Sequence, residues 1–177
     1  MKKSILSIAI FAITFISSTE IAAQAFKDLD KSPMDAAAYP SSYKVSDKIV
    51  KVVYSRPQLK GRDLAKLAPA GKVWRTGANE AAEITFYRDV TFGGKAVKSG
   101  TYSLFTIPSE EGDWTVILNT ARNVWGSYFY KEDQDIARVS GAVSKSEKNI
   151  DAFSMVFDED MTLKMGWGNT IVSVPIQ

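Results

Sequence analysis

The stretch "FSMVFDEDMTLKMGWGNTIVSVPI", residues 153–176, decides the fold class. Phe153, Met155 and Phe157 alternate with Ser154 and Val156, and after Asp158-Glu159-Asp160 the same beat returns in Met161, Leu163, Met165 and Trp167. Side chains in a strand point alternately to opposite faces, so this period of two predicts two strands joined by an acidic hairpin turn. Gly168-Asn169 predicts a further turn. Beyond it, Val172, Val174 and Ile176 share one face of a third strand. Apolar residues on one face with polar residues opposite are the mark of antiparallel sheet with one side wet.

Working backward, the signal persists. IARVSGAV (136–143) and WTVILN (114–119) read as strands, the latter preceded by the loop SEEGD (109–113) and by TYSLFTIP (101–108). VTFGGKAV (90–97) carries Gly93-Gly94 at its centre, which predicts a hairpin. AEITFY (82–87) sets Ile84 and Phe86 inward and Glu83, Thr85 and Tyr87 outward, and IVKVVY (49–54) runs up to Arg56-Pro57. DLAKLA (63–68) is the one convincing helical stretch, about two turns long and ended by Pro69 and Gly71. The aromatic segment NVWGSYFY (123–130) follows no clean period. Eight or nine short strands at this spacing predict an all-β chain: a single antiparallel β-sandwich or jelly-roll-like domain over residues 48–177.

The N-terminal end is of another kind. Lys2 and Lys3, an apolar run from Ile5 to Ile16, and Ala23-Gln24-Ala25 make a secretory signal peptide over residues 1–25, with cleavage expected after Ala25. Its apolar run is too short for a membrane span of roughly 20 residues. Residues 26–47, polar and holding Pro33 and Pro40, read as an N-terminal arm or linker. The chain is thus expected to be periplasmic or secreted, with no membrane insertion once the leader is removed. The absence of cysteine argues against a lipoprotein and against disulfides.

Histidine is absent too, which excludes Ser-His-Asp and Cys-His catalysis and zinc sites built on His or Cys. Removing the leader takes the 22 basic and 20 acidic side chains to 20 and 19. So near-neutral a chain has no electrostatic footprint for nucleic acid. No cofactor and no metal are expected. Asp158-Glu159-Asp160 favours its turn, since calcium wants six to eight oxygens; Asp133 and Asp135 are weaker still.

One segment gathers far more hydrogen-bonding groups than a strand needs: "GKVWRTGANEAAEIT", residues 71–85. The planar fork of Arg75 suits carboxylates, phosphates and sulfates. Thr76 and Asn79 bind hydroxyls or satisfy backbone groups, Gly77 permits a tight turn, and Glu80 can pair with Arg75 or act as an acid/base group. Arg75, Thr76, Asn79 and Glu80, joined by Arg56, are the expected ligand-binding set, with Arg62 as a further member of a basic pocket. Glu80 and Glu83 are the catalytic candidates, although Glu83 also fits a solvated charge on the wet face. Trp74 fits the core. The competing account is structural: an Arg75–Glu80 pair with Asn and Thr side chains can satisfy a loop entering a central strand.

Over roughly Ser32 to Ile176 the chain resembles the uncharacterised bacterial secreted family known as domain of unknown function 2911. The likeness rests on Ser55-Arg56-Pro57, Lys60-Gly61-Arg62, "GKVWRTGANEAAEITF", "GGKAVKSGTYSLFTIP", "WTVILN" and "WGSYFY". It implies an exported protein and one domain, and no chemistry. Ala68-Pro69-Ala70-Gly71 departs from the apolar-aromatic lead the resemblance implies there, so a pocket walled by that aromatic would be wider or absent here.

Three functions stay open. The first is a periplasmic binding module for a small polar ligand, a glycan or an anionic metabolite, at Trp74–Glu80. The second is a carboxylate-dependent glycoside hydrolase or lyase, needing two carboxyls about 5–9.5 Å apart. The third is a structural or partner-binding envelope protein.

Overall fold

The computed structural model describes Phe26 and residues 28–177; the expected signal peptide and its cleavage site lie outside the described residues. The chain is all-β and antiparallel. Its strands are β1 (Met34–Tyr39), β2 (Val50–Ser55), β3 (Ala82–Phe86), β4 (Val90–Phe92), β5 (Lys95–Val97), β6 (Gly100–Ile107), β7 (Trp114–Asn119), β8 (Asp135–Phe157) and β9 (Leu163–Val174). Seven of them form one sheet in the order β1-β2-β3-β6-β7-β8-β9, and β4-β5 form a separate hairpin.

That sheet curls until its ends meet. The bend lies in β8, whose register against β9 slips between Lys145 and Ile150 and again before Ser154. Such irregularities kink a strand. Beyond them, β8 runs beside the segment that leaves β2: Phe153 N–H donates to the Pro57 carbonyl and Leu59 N–H to that of Asp151. Arg56 fastens the seam, donating to the Phe153 carbonyl (3.0 Å), the Ser154 hydroxyl (2.7 Å) and Asp35 (3.0 Å). The C-terminal residues after β9 pair with β4, Thr91 and Gln177 exchanging backbone hydrogen bonds.

The apolar alternation fills the interior this curl encloses. Val52, Tyr54, Ile84, Phe86, Leu104, Val116 and Leu118 meet Phe153, Met155, Leu163, Met165, Trp167, Val172 and Val174 in one buried cluster. Trp74 stacks on Trp167 (centroids 5.2 Å apart, planes at 13°) and meets Phe153 edge-on, as a core residue. The two layers are therefore halves of one curled sheet.

Three local expectations are corrected, and one unassigned segment is placed. Gly168-Asn169 does not end a strand: β9 passes through it, and the left-handed Gly168 (φ 60°) marks the irregularity opposite Ile150 instead. Residues 144–152 belong to the continuous β8. The helix is a single turn, α1 (Leu64–Leu67), with Asp63 capping Ala65 N–H. Within the expected arm, β1 pairs along its whole length with β2; Ala36-Ala37-Ala38 carries no alternation by which to recognise an edge strand. No helix among the described residues is long and apolar enough to cross a membrane.

Candidate functional site

The polar motif owes its form to an interruption in a strand. Trp74 pairs with Thr106 and Ala82 with Leu104, both antiparallel to β6. Opposite the single residue Phe105 the chain therefore inserts seven, Arg75 to Ala81. The Ala82 N–H closes this excursion on the Arg75 carbonyl (3.0 Å). Its turns need left-handed backbone at Thr76 (φ 53°) and Asn79 (φ 60°), a conformation that asparagine tolerates better than most residues. Gly77 lies so close to β2 that a Cβ there would sit 3.0 Å from the Ser55 carbonyl oxygen.

A second loop braces the first. Between β7 and β8 the chain crosses the outer face of the sheet, the Ala81 N–H bonding to the Val124 carbonyl and the Gly126 N–H to that of Asn79. Underneath is a second, smaller core of Ala81, Phe105 and Ile117, with Val73, Ile107, Val124 and Tyr130 packed on it. The crossing loop is anchored at its far end by Asp135, a deeply buried carboxylate that pairs with Arg138 and accepts from Tyr130 and Asn119. Burial first, and then the Asp135 carboxylate, hold the Tyr130 hydroxyl well above its ordinary pKa. Asp135 is thus a structural anchor with its oxygens committed.

Where excursion, crossing loop and sheet meet, they leave a pocket of about 350 Å³, lined by Met34, Val53, Tyr54, Ser55, Glu80, Ala81, Glu83, Thr85 and Asn123. Its floor is the outward face of β2 and β3, with Val53 directly opposite Glu83. Glu83 is half-buried and accepts a hydrogen bond from the Asn123 N–H (2.7 Å), so it is a fixed acceptor rather than a solvated charge. Glu80 is exposed at the wall and makes no ion pair with Arg75. The two catalytic candidates, Glu80 and Glu83, therefore line a common space. Among the described residues, the only charged groups lining it are these two carboxylates.

The other expected site residues lie elsewhere. Thr76 is buried and bonds to the Trp74 carbonyl and the Thr106 hydroxyl. Asn79 presents its side chain to Asp30 of the N-terminal segment; the Ser32 N–H and this amide hold the Asp30 carboxyl below its usual value. Arg56 is consumed by the seam, and Arg62 by the Leu59 and Gln58 carbonyls. No basic pocket forms from Arg56, Arg62 and Arg75. Arg75 itself passes beneath the crossing loop, where its Nε is buried without a hydrogen-bond partner among the described residues. Asp158 is spent on its own turn, accepting from the Asp160 and Thr162 N–H groups and pairing with Lys164. Ala70 borders a separate groove of about 590 Å³ with Pro69, Pro108 and Trp114.

Thr85 of the pocket could have been found from alternation alone, since it sits on the outward face of a recognised strand, whereas Ser55 lies one residue beyond IVKVVY and is buried. Asn123 could not, because only the path of the crossing loop brings it there. A family model described as "Protein of unknown function (DUF2911)" matches residues 32–176. No curated protein and no solved structure matches the chain.

Proposed function

Because the chain belongs to the DUF2911 family, proteins of unknown function, we propose a function from the site itself: the protein is a binding module for a neutral, hydroxyl-rich ligand, a glycan or its fragment, held in the Glu80–Glu83 pocket. The observation that carries this reading is the pocket's lining. Two carboxylates accept hydrogen bonds, Ser55 and Thr85 add hydroxyls, and Met34, Val53 and Ala81 supply apolar surface. Vicinal hydroxyls donate well to carboxylates, and charge-assisted bonds of this kind are about twice as strong as neutral ones. An anionic metabolite fits poorly, because among the described residues no cationic side chain lines the pocket to oppose the two glutamates. The volume lies at the lower end of ligand-pocket sizes, roughly 300–1,000 Å³, which suits one or two sugar units. The exported setting implied by Lys2 to Ala25 accords with a glycan ligand, and N-terminal sequencing of the mature protein tests it.

The shared space of Glu80 and Glu83 also favours a second reading, a glycoside-cleaving carboxylate pair. A thermal-shift screen against neutral sugars, amino sugars, organic acids and inorganic phosphate separates the cases. A neutral sugar at about a hundred times its Kd should add roughly 2.7 kcal/mol of stability to the protein, and Glu80→Gln should abolish most of that gain. Phosphate or organic acids giving the largest shift would overturn the glycan reading. Release of reducing ends from an oligosaccharide, lost in Glu80→Gln, would establish cleavage.

A further inference from the structure

Beside the pocket, the crossing loop holds three large aromatic side chains out in water: Trp125, Tyr128 and Phe129 are 55%, 78% and 70% exposed. Exposed aromatics in such number within five residues are unusual on a soluble domain and mark a contact surface. They sit on a firm mount. Trp125 pairs with Glu80 of the pocket wall in a backbone bridge, and the Gly126 N–H is tied to the Asn79 carbonyl. Tyr128 lies over Gly126, where a Cβ would come within 2.8 Å of its ring. Asn123, two residues before Trp125, already lines the pocket.

We infer that the ligand of this same site is an extended glycan chain, with one unit in the Glu80–Glu83 pocket and the following units lying on Trp125 and Tyr128. The inference rests on the reading of the pocket as a glycan site. Each sugar ring has an apolar face of C–H groups and an edge of hydroxyls, so a chain needs what this surface offers: carboxylate acceptors at one end and aromatic faces beyond. Large rigid aromatics supply contact area at little entropic cost. Charge decides against a nucleic acid on the same aromatics, since single-strand binders pair stacking platforms with a positively charged groove. Here the adjoining pocket is lined, among the described residues, by two carboxylates and no cation.

The test is titration calorimetry of the protein with glucose and cellohexaose, and with N-acetylglucosamine and chitohexaose. For the favoured pair, the hexasaccharide should bind at least about tenfold tighter than its monomer, a gap of about 1.4 kcal/mol and more than six repeated units give by statistics. Trp125→Ala and Tyr128→Ala should each remove most of that gap while leaving monomer affinity in place, and Glu80→Gln should weaken both. Equal affinity per unit for monomer and hexamer, or a length gain that survives both aromatic variants, overturns the extended chain and leaves the pocket reading standing. If no saccharide binds, both readings fall. A wild type that self-associates, with Trp125→Ala monomeric in sedimentation, would assign the aromatics to a second copy of the chain and also overturn the inference.

Discussion

Two arginines that look alike in the sequence do opposite things. Arg56 donates through Nε and both terminal nitrogens to Phe153, Asp35 and Ser154 across the seam of the sheet, whereas Arg75 keeps a buried Nε without an acceptor among the described residues. Removing the donor from a satisfied, partly buried contact strands its acceptors, while removing an unsatisfied buried donor relieves a cost of about 1–3 kcal/mol. Arg56→Met should therefore lower the unfolding free energy by about 1.5–3 kcal/mol, and Arg75→Met should change it little or raise it. Urea denaturation of the two variants checks the contrast, and equal losses would contradict it. Nothing in "YSRPQ" or "VWRTG" announces this difference. Composition at a position shows what a side chain can bond to; its partners, here residues 97 and 98 positions further along the chain, come from the fold.

Between residue and molecule, the elements show where periodicity suffices and where it fails. Alternation in 153–157 and 161–167 was legible because one face is buried throughout 153–157 and 163–167. The same signal misses β1, whose alanines suit either face of an edge strand, and it misreads Gly168-Asn169, since a glycine that bends a strand looks like one that ends it. The excursion at 75–81 is invisible for another reason: both its flanks pair with one strand, and sequence carries no record of register. Side chains on the buried face are tightly packed where β8 runs between β7 and β9. A Cβ on Gly141 would lie 2.6 Å from Val172 Cγ1 and 2.7 Å from Val116 Cγ2, so Gly141→Ala should cost about 1–3 kcal/mol of stability, read as a lower urea midpoint. The turn between β8 and β9 carries a pH signature. The Thr162 N–H and then Lys164 hold the Asp158 carboxyl below its ordinary 3.8. A carboxyl whose pKa falls on folding stabilises the fold above its unfolded value and stops doing so as pH drops through the folded one. Asp158→Asn should accordingly melt below wild type at neutral pH, and the difference in Tm should close as pH falls below 3.8. A gap independent of pH would remove the ionised carboxylate from the account.

At the scale of the whole molecule, the curl sorts the two faces of one sheet into two tasks. The inner face packs against its own far end, β8 and β9, and against the β4–β5 hairpin, where Phe92 meets Phe86. The outer face is only partly covered, by the crossing loop over Ala81, Phe105 and Ile117, and the uncovered remainder of β2 and β3 becomes the pocket floor. Glu80 and Glu83 were legible as a pair because they flank the entry to a recognised strand. Their common space was not, since it needs Asn123 from one loop and Met34 from the edge strand to enclose it. The central claim is that this pocket binds saccharide, and the most direct test is to map binding by amide chemical shifts in the isotopically labelled protein titrated with cellohexaose and with chitohexaose. The account predicts perturbations concentrated at residues 53–55, 79–85 and 123–128 for at least one of the two. Shifts centred on the groove of Pro69, Pro108 and Trp114, or none with either sugar at millimolar concentration, would contradict it.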